Sequence, residues 1–113
     1  MNKFILIFLF IFCFAKSQLY RGSELRTLEP VLYGKFEVRY KPAQGDGLVS
    51  SFFVYNDDFP NTDWVEVDIE VLGRYPNIVD MNVITNTSHL RTHFTTMNTH
   101  LDFQVYGFEW TPD

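Results

Sequence analysis

Glu66-Val67-Asp68-Ile69-Glu70-Val71 carries an acid at every second position and a β-branched residue at each position between, with Trp64-Val65 before it. Alternation with a period of two predicts a strand that buries Val67, Ile69 and Val71 on one face and sets three carboxylates along the other. Like charges in a row repel, so the segment is either a solvated acidic face or a set of acids kept together for chemistry. A strand rises about 3.3 Å per residue, which puts the Cα atoms of Glu66 and Glu70 roughly 13 Å apart. Glutamate side chains reaching roughly 4 Å each and leaning inward then leave about 5 Å between the carboxyls. A double displacement at an acetal carbon needs its two carboxyls about 5 to 5.5 Å apart, one to attack and one to protonate the leaving oxygen. Asp68, on a shorter arm between them, could hydrogen-bond one glutamate and help hold the pair in opposite protonation states.

The elements that must position these acids all read as strands. Gly34 to Tyr40 alternates apolar and charged residues, Leu48 to Tyr55 is apolar on both faces at its ends, and Ile78 to Thr85 and Gln104 to Trp110 are further β-type runs. Turn signals separate them: the glycine-rich Pro42 to Gly47, Asn56 to Asp63, and Gly73 to Asn77 with Pro76. No stretch holds a helical period, so the expected class is all-β. Leu48 to Tyr55 is expected to lie centrally in its sheet, because a strand apolar on both faces is usually covered on both. Between Thr85 and Gln104 the sequence reads as a polar loop. His89 and His93 fall there, at a spacing that would suit a metal only on a helix, and no metal site is expected.

Residues 1–17 read as a signal peptide: Lys3, an apolar run from Phe4 to Ala15, then Ala15-Lys16-Ser17 in the small-x-small pattern. The run falls short of the roughly 20 residues that span a bilayer, so a secreted protein with no membrane attachment after cleavage is expected. Cys13 leaves with the leader, and residues 18–113 have no cysteine to form a disulfide. The whole chain of 113 residues carries a formal charge of −5. Losing Lys3 and Lys16 makes the remainder more acidic still, which argues against nucleic acid and sulfated polymers and permits a neutral substrate. Aromatic residues make up 18% of the chain, more than a core needs, so some are expected to face a ligand.

With these residues in view, the chain from about Tyr20 to Asp113 resembles glycoside hydrolase family 16, especially its bacterial lichenase-like members. The segments that carry the resemblance are Glu66-Val67-Asp68-Ile69-Glu70-Val71-Leu72-Gly73, Tyr33 to Arg39, Gly47 to Phe53 and Tyr106 to Trp110, in the family's order. The resemblance implies a concanavalin A-like jelly roll and a retaining endo-β-glucanase without a cofactor. Glu66 would be the nucleophile, Asp68 the assisting acid and Glu70 the general acid/base. It also implies sugar contacts from Glu24 and Arg26, stacking faces from Phe53, Tyr55 and Trp64, and a hydrogen bond from Asn82, with β-glucan as partner. The chain departs from the family pattern at Ile84, where an aromatic often sits, and at Gln104, where histidine is common.

Family domains run to some 200 residues or more, so residues 18–113 are expected to form a partial β-sandwich, incomplete at both ends and lacking a C-terminal half. Exposed strand edges make weak or absent activity of the isolated chain the expectation. The alternatives are a non-catalytic β-glycan-binding protein on the same scaffold, a transglycosylase or hydrolase of another β-glycan, and a secreted structural segment. Asn86-Thr87-Ser88 is an N-glycosylation sequon, with meaning only in a eukaryotic host.

Overall fold

The computed structural model describes residues 21–96 and 98–112. The expected leader, residues 1–17, lies outside the described residues. The chain divides into two compact units, Met1–Pro30 and Val31–Asp113. In the first unit, the described residues 21–30 form no helix or strand and are exposed, and Arg26 Nε pairs with Glu24 Oε1.

The second unit holds six strands: β1 (Gly34–Tyr40), β2 (Val49–Tyr55), β3 (Val65–Leu72), β4 (Ile78–Thr85), β5 (His89–Thr95) and β6 (Gln104–Trp110). They form two antiparallel sheets, β1-β6 and β2-β3-β4-β5. The alternation in β3 places Val67, Ile69 and Val71 between the sheets, where they join Tyr106 and Phe108 of β6 as the buried hydrophobics of the core. Val71 has no exposed surface at all. Phe36 and Phe52 close the layer against Phe108, with ring centroids 5.3 and 5.7 Å away. The fold is the all-β sandwich that the sequence suggests.

Two expectations fail here. Among the described residues β2 is the outermost strand of its sheet, not a central one. Its two apolar faces have separate causes: Phe52 and Val54 pack on the core, while Phe53 and Tyr55 point the other way as an aromatic surface. The polar segment after Thr85 is no loop, because His89–Thr95 pairs along its length with β4. Every residue of β5 is exposed, so it owes its place to backbone hydrogen bonds at a sheet edge rather than to burial. Its inner side carries only Leu90 and Phe94 with Thr92 between them, a thin apolar face to announce it.

Between the sheets lie two cavities, of about 350 Å³ and about 210 Å³. Ile69, Val79, Met81 and Phe94 line the first, and Val65, Val67, Val83 and Phe108 line the second. Both sit on the inner side of β3, behind the sheet that carries the acids.

Candidate active site

Directly opposed residues of an antiparallel sheet share a face, so the register defines the surface opposite the core. One row across it is Tyr55, Glu66, Ile84 and His89; the next is Phe53, Asp68, Asn82 and Arg91; the third is Ser51, Glu70, Asp80 and His93. Each acid of β3 therefore has an aromatic or serine neighbour on β2 and a basic side chain two strands away on β5.

Glu66 and Glu70 are partly buried and Asp68 is 5% exposed. Burial is the first cause pushing the Glu66 carboxyl above its usual range, followed by the charge of Asp68. The Trp64 hydrogen bond and His89 oppose the rise, and Glu70 adds to it. Glu70 is also raised, by burial and Asp68 first, against the lowering effect of Arg91 and of Asn82's hydrogen bond, with Asp80 adding to the rise. Both glutamates thus bind protons more readily here than in the unfolded chain. Their ionisation costs stability at neutral pH, and that cost disappears as the pH falls through their raised values. Glu66→Gln is accordingly expected to raise the thermal midpoint at pH 7, with the gain shrinking toward pH 4. Thermal melts followed by circular dichroism at the two pH values measure it, and a lower midpoint at pH 7 would contradict the sign.

The expected partnership of Asp68 with a glutamate is replaced by another. Asp68 Oδ1 accepts a hydrogen bond from Asn82 Nδ2 at 2.6 Å, and the same nitrogen donates to Glu70 Oε2 at 3.3 Å. Asn82, expected to meet a sugar, is only 1% exposed. Its oxygen accepts from Arg91 Nε at 2.7 Å, with His89 Nε2 3.2 Å away. A neutral amide fits here because it can offer hydrogens to two carboxylates and an oxygen to a guanidinium at once.

Trp64 lies beside Glu66, its indole Nε1 donating to Oε2 at 3.2 Å. It stacks on Tyr55 at 5.6 Å, Tyr55 lies 5.7 Å from Phe53, and Phe59 meets Trp64 edge-on at 5.2 Å. Four aromatic rings thus form a continuous strip at the Glu66 end. The loop carrying Phe59 and Trp64 is held by Asn56, whose Nδ2 donates to Thr62 Oγ1 and to the Asp63 carbonyl. It is fastened to the β4–β5 turn by Asn86, whose Oδ1 accepts from the Trp64 backbone at 2.8 Å and whose Nδ2 donates to Asp63 at 2.6 Å. The sequon asparagine therefore spends its amide on the loop that presents Trp64.

Sequence reasoning missed Asn56, Asp80 and Arg91, and it placed His93 in a loop where the structure has a strand. Asp80 is 3% exposed and pairs with His93 Nδ1. The two histidines lie on a strand, one against Asn82 and one against Asp80. Among the described residues no group of three or more His, Cys, Asp or Glu is placed to hold a metal ion. The alternation His89-x-Arg91-x-His93 was the available signal for a basic face. Glu24 and Arg26 lie in the first unit, paired with each other.

The family model for glycosyl hydrolases family 16 matches residues 10–113. The chain belongs to glycosyl hydrolase family 16. A family relative, the beta-glucanase of Fibrobacter succinogenes, is 43% identical over 102 residues, covering 83% of this chain and 29% of that protein. Among solved structures, the Bacillus licheniformis beta-glucanase superposes with a TM-score of 0.69 at 34% identity, over 75% of this chain and 41% of that one. A prokaryotic beta-1,3-1,4-glucanase (lichenase) from a mouse hindgut metagenome gives 0.65 at 38% identity, over 72% and 39%. The chain thus spans 29% to 41% of the length of these three relatives. Over that span it carries the family's sandwich strands.

Proposed function

We propose that this chain carries the catalytic strand of a retaining endo-β-glucanase. The observation that carries the reading is the placement of Glu66, Asp68 and Glu70 on the one face of β3 turned away from the core, alongside the strip of Phe53, Tyr55, Phe59 and Trp64. The flat apolar faces of β-linked glucose units stack on aromatic rings, so the strip directs a glucan chain across the acids.

In the first step the Glu66 carboxylate attacks the anomeric carbon while Glu70 gives its proton to the departing glycosidic oxygen, leaving a glycosyl ester on Glu66. Loss of the Glu66 charge in that ester favours ionisation of Glu70. Glu70 then takes a proton from water, whose oxygen opens the ester with a second inversion. Asp68 contributes negative charge between the two and fixes the Asn82 amide. Asn82 acts on the carboxylates rather than on the sugar, and Glu24 and Arg26 bind glucose hydroxyls. The family relatives named as beta-glucanases support β-glucan as the substrate. In this reading residues 1–17 direct secretion and are removed. The chain by itself turns over slowly, because its described residues bury only five hydrophobic side chains as a core.

A test that tolerates slow turnover is a 2-deoxy-2-fluoro-β-cellobiosyl fluoride trap. The fluorine slows both steps, and the good leaving group lets the ester form and persist. Digestion and mass spectrometry are expected to find one glycosyl adduct on Glu66. An adduct on Glu70, or none on a chain that melts cooperatively, would overturn the assignment; glucan binding without any adduct would indicate a binding protein.

A further inference from the structure

We propose that Arg91, on the exposed edge strand β5, is a positioning residue that sets the orientation of the Asn82 amide and through it the donor supply to Glu70. The inference deepens the reading of Glu70 as acid/base and rests on it.

Arg91 Nε donates to Asn82 Oδ1 at 2.7 Å, and its Nη2 lies 3.8 Å from Glu70 Oε2. An amide can sit in either of two orientations related by a half-turn. With its oxygen toward Asp68 and Glu70, Asn82 would set a carbonyl against two carboxylates and an NH2 against a guanidinium, three repulsive contacts in place of three attractive ones. A fixed cation on the β5 side therefore selects the orientation in which the NH2 serves both acids. The planar guanidinium is suited to this because its Nε and Nη2 are held rigidly relative to each other, so one group touches Asn82 while another faces Glu70. Lysine has a single charged point and cannot serve both.

The other groups facing Glu70 do not supply this function. On β3 its neighbours are Asp68 and Glu66, both acids. On β4 the directly opposed residue is Asp80, also an acid, and Asp80 is paired with His93 of β5. His89 of β5 stands in the row of Glu66, and its ring nitrogen approaches Asn82 Oδ1 at the longer distance of 3.2 Å. On β2 the opposed residue is Ser51, with Phe53 beyond it and Tyr55 in the row of Glu66. Arg91 is thus the arginine or lysine in these three rows, and it stands in a strand with no buried side chain.

The test is carboxyl-detected NMR titration of the glutamate-labelled full chain together with the Asn82 side-chain amide resonances, for wild type, Arg91→Met and Arg91→Lys. Arg91→Met is expected to move the Glu70 midpoint upward, through loss of the cation and of an ordered donor, and to displace and broaden the Asn82 NH2 signals. Arg91→Lys is expected to recover part of the Glu70 shift through its charge and to leave the Asn82 signals displaced. Full restoration of both signals by Arg91→Lys, or no movement of either in Arg91→Met, overturns the proposal. Where glucan turnover is measurable, Arg91→Met should lower kcat/KM about tenfold and carry the basic limb of its pH profile upward while the acidic limb stays in place. The NMR readouts need no hydrolysis, so a chain that forms no glycosyl ester still decides the role of Arg91. Loss of the glycosidase reading and loss of this one are therefore separate results.

Discussion

Replacing Glu66 by alanine is expected to lower hydrolysis of an activated aryl β-glucoside by about 10⁴-fold, equivalent to about 5 kcal/mol of transition-state stabilisation. The size follows from removing the atom that makes the covalent bond while every other group on the face stays in place. The truncated side chain also leaves a gap beside Trp64 where azide fits. Azide should then attack the anomeric carbon directly, from the side opposite the leaving group, and yield an α-glycosyl azide. Glu70→Ala is expected to behave differently on the same substrate. A good leaving group departs without protonation, the ester on Glu66 still forms, and azide opens it with a second inversion to give the β-glycosyl azide. NMR of the azide products distinguishes the two variants, and interchange of the products would reverse the roles assigned to Glu66 and Glu70.

The second large effect concerns folding. Gly73 ends the segment Glu70-Val71-Leu72-Gly73, and a Cβ there would collide with the carbonyl oxygen of Gly45 while lying 2.8 Å from that of Ala43 and 2.9 Å from the Gly45 nitrogen. All three atoms belong to the backbone of the β1–β2 connection, so no side chain can swing aside. The contact is also bonded in place: Gly73 N donates to Leu48 O at 2.8 Å and Gly45 N to Gly73 O at 3.0 Å. Gly73→Ala must break those bonds or push the connection away, at a cost of about 3 kcal/mol or more. Against a total of roughly 5–15 kcal/mol for a typical domain, and with a core this small, the variant is expected to be largely unfolded at 37 °C. Urea denaturation followed by tryptophan fluorescence measures it; a midpoint equal to the wild type's would show that the connection yields freely.

Gly73 also illustrates what the sequence could and could not convey. The glycine was visible as part of a signature after three acids, but its steric reason lies in a turn some thirty residues earlier in the chain. Strand positions were legible wherever a residue pattern had a buried side: Gly34–Tyr40 stands where alternation puts it, and Ile78–Thr85 and Gln104–Trp110 where β-type runs between turn signals put them. The same pattern revealed that Glu66, Asp68 and Glu70 share a face. It failed for β5, none of whose side chains is buried, and with β5 went every cross-strand neighbour it supplies. Arg91 against Asn82, and His93 against Asp80, depend on the register of the β4–β5 hairpin, which no local pattern encodes. The position of β2 at the edge was misjudged for a related reason: two apolar faces do not say whether protein or a ligand covers the second.

The pairing of β1 with β6 sets Gly34 directly opposite Trp110, and Tyr33 meets the Trp110 ring edge-on at 5.3 Å. Polypeptide arriving at the first strand and polypeptide departing from the last therefore pass within about 5 Å of each other, the spacing of adjacent strands. The sheet opposite the acids therefore has the start of β1 and the end of β6 side by side at one of its ends.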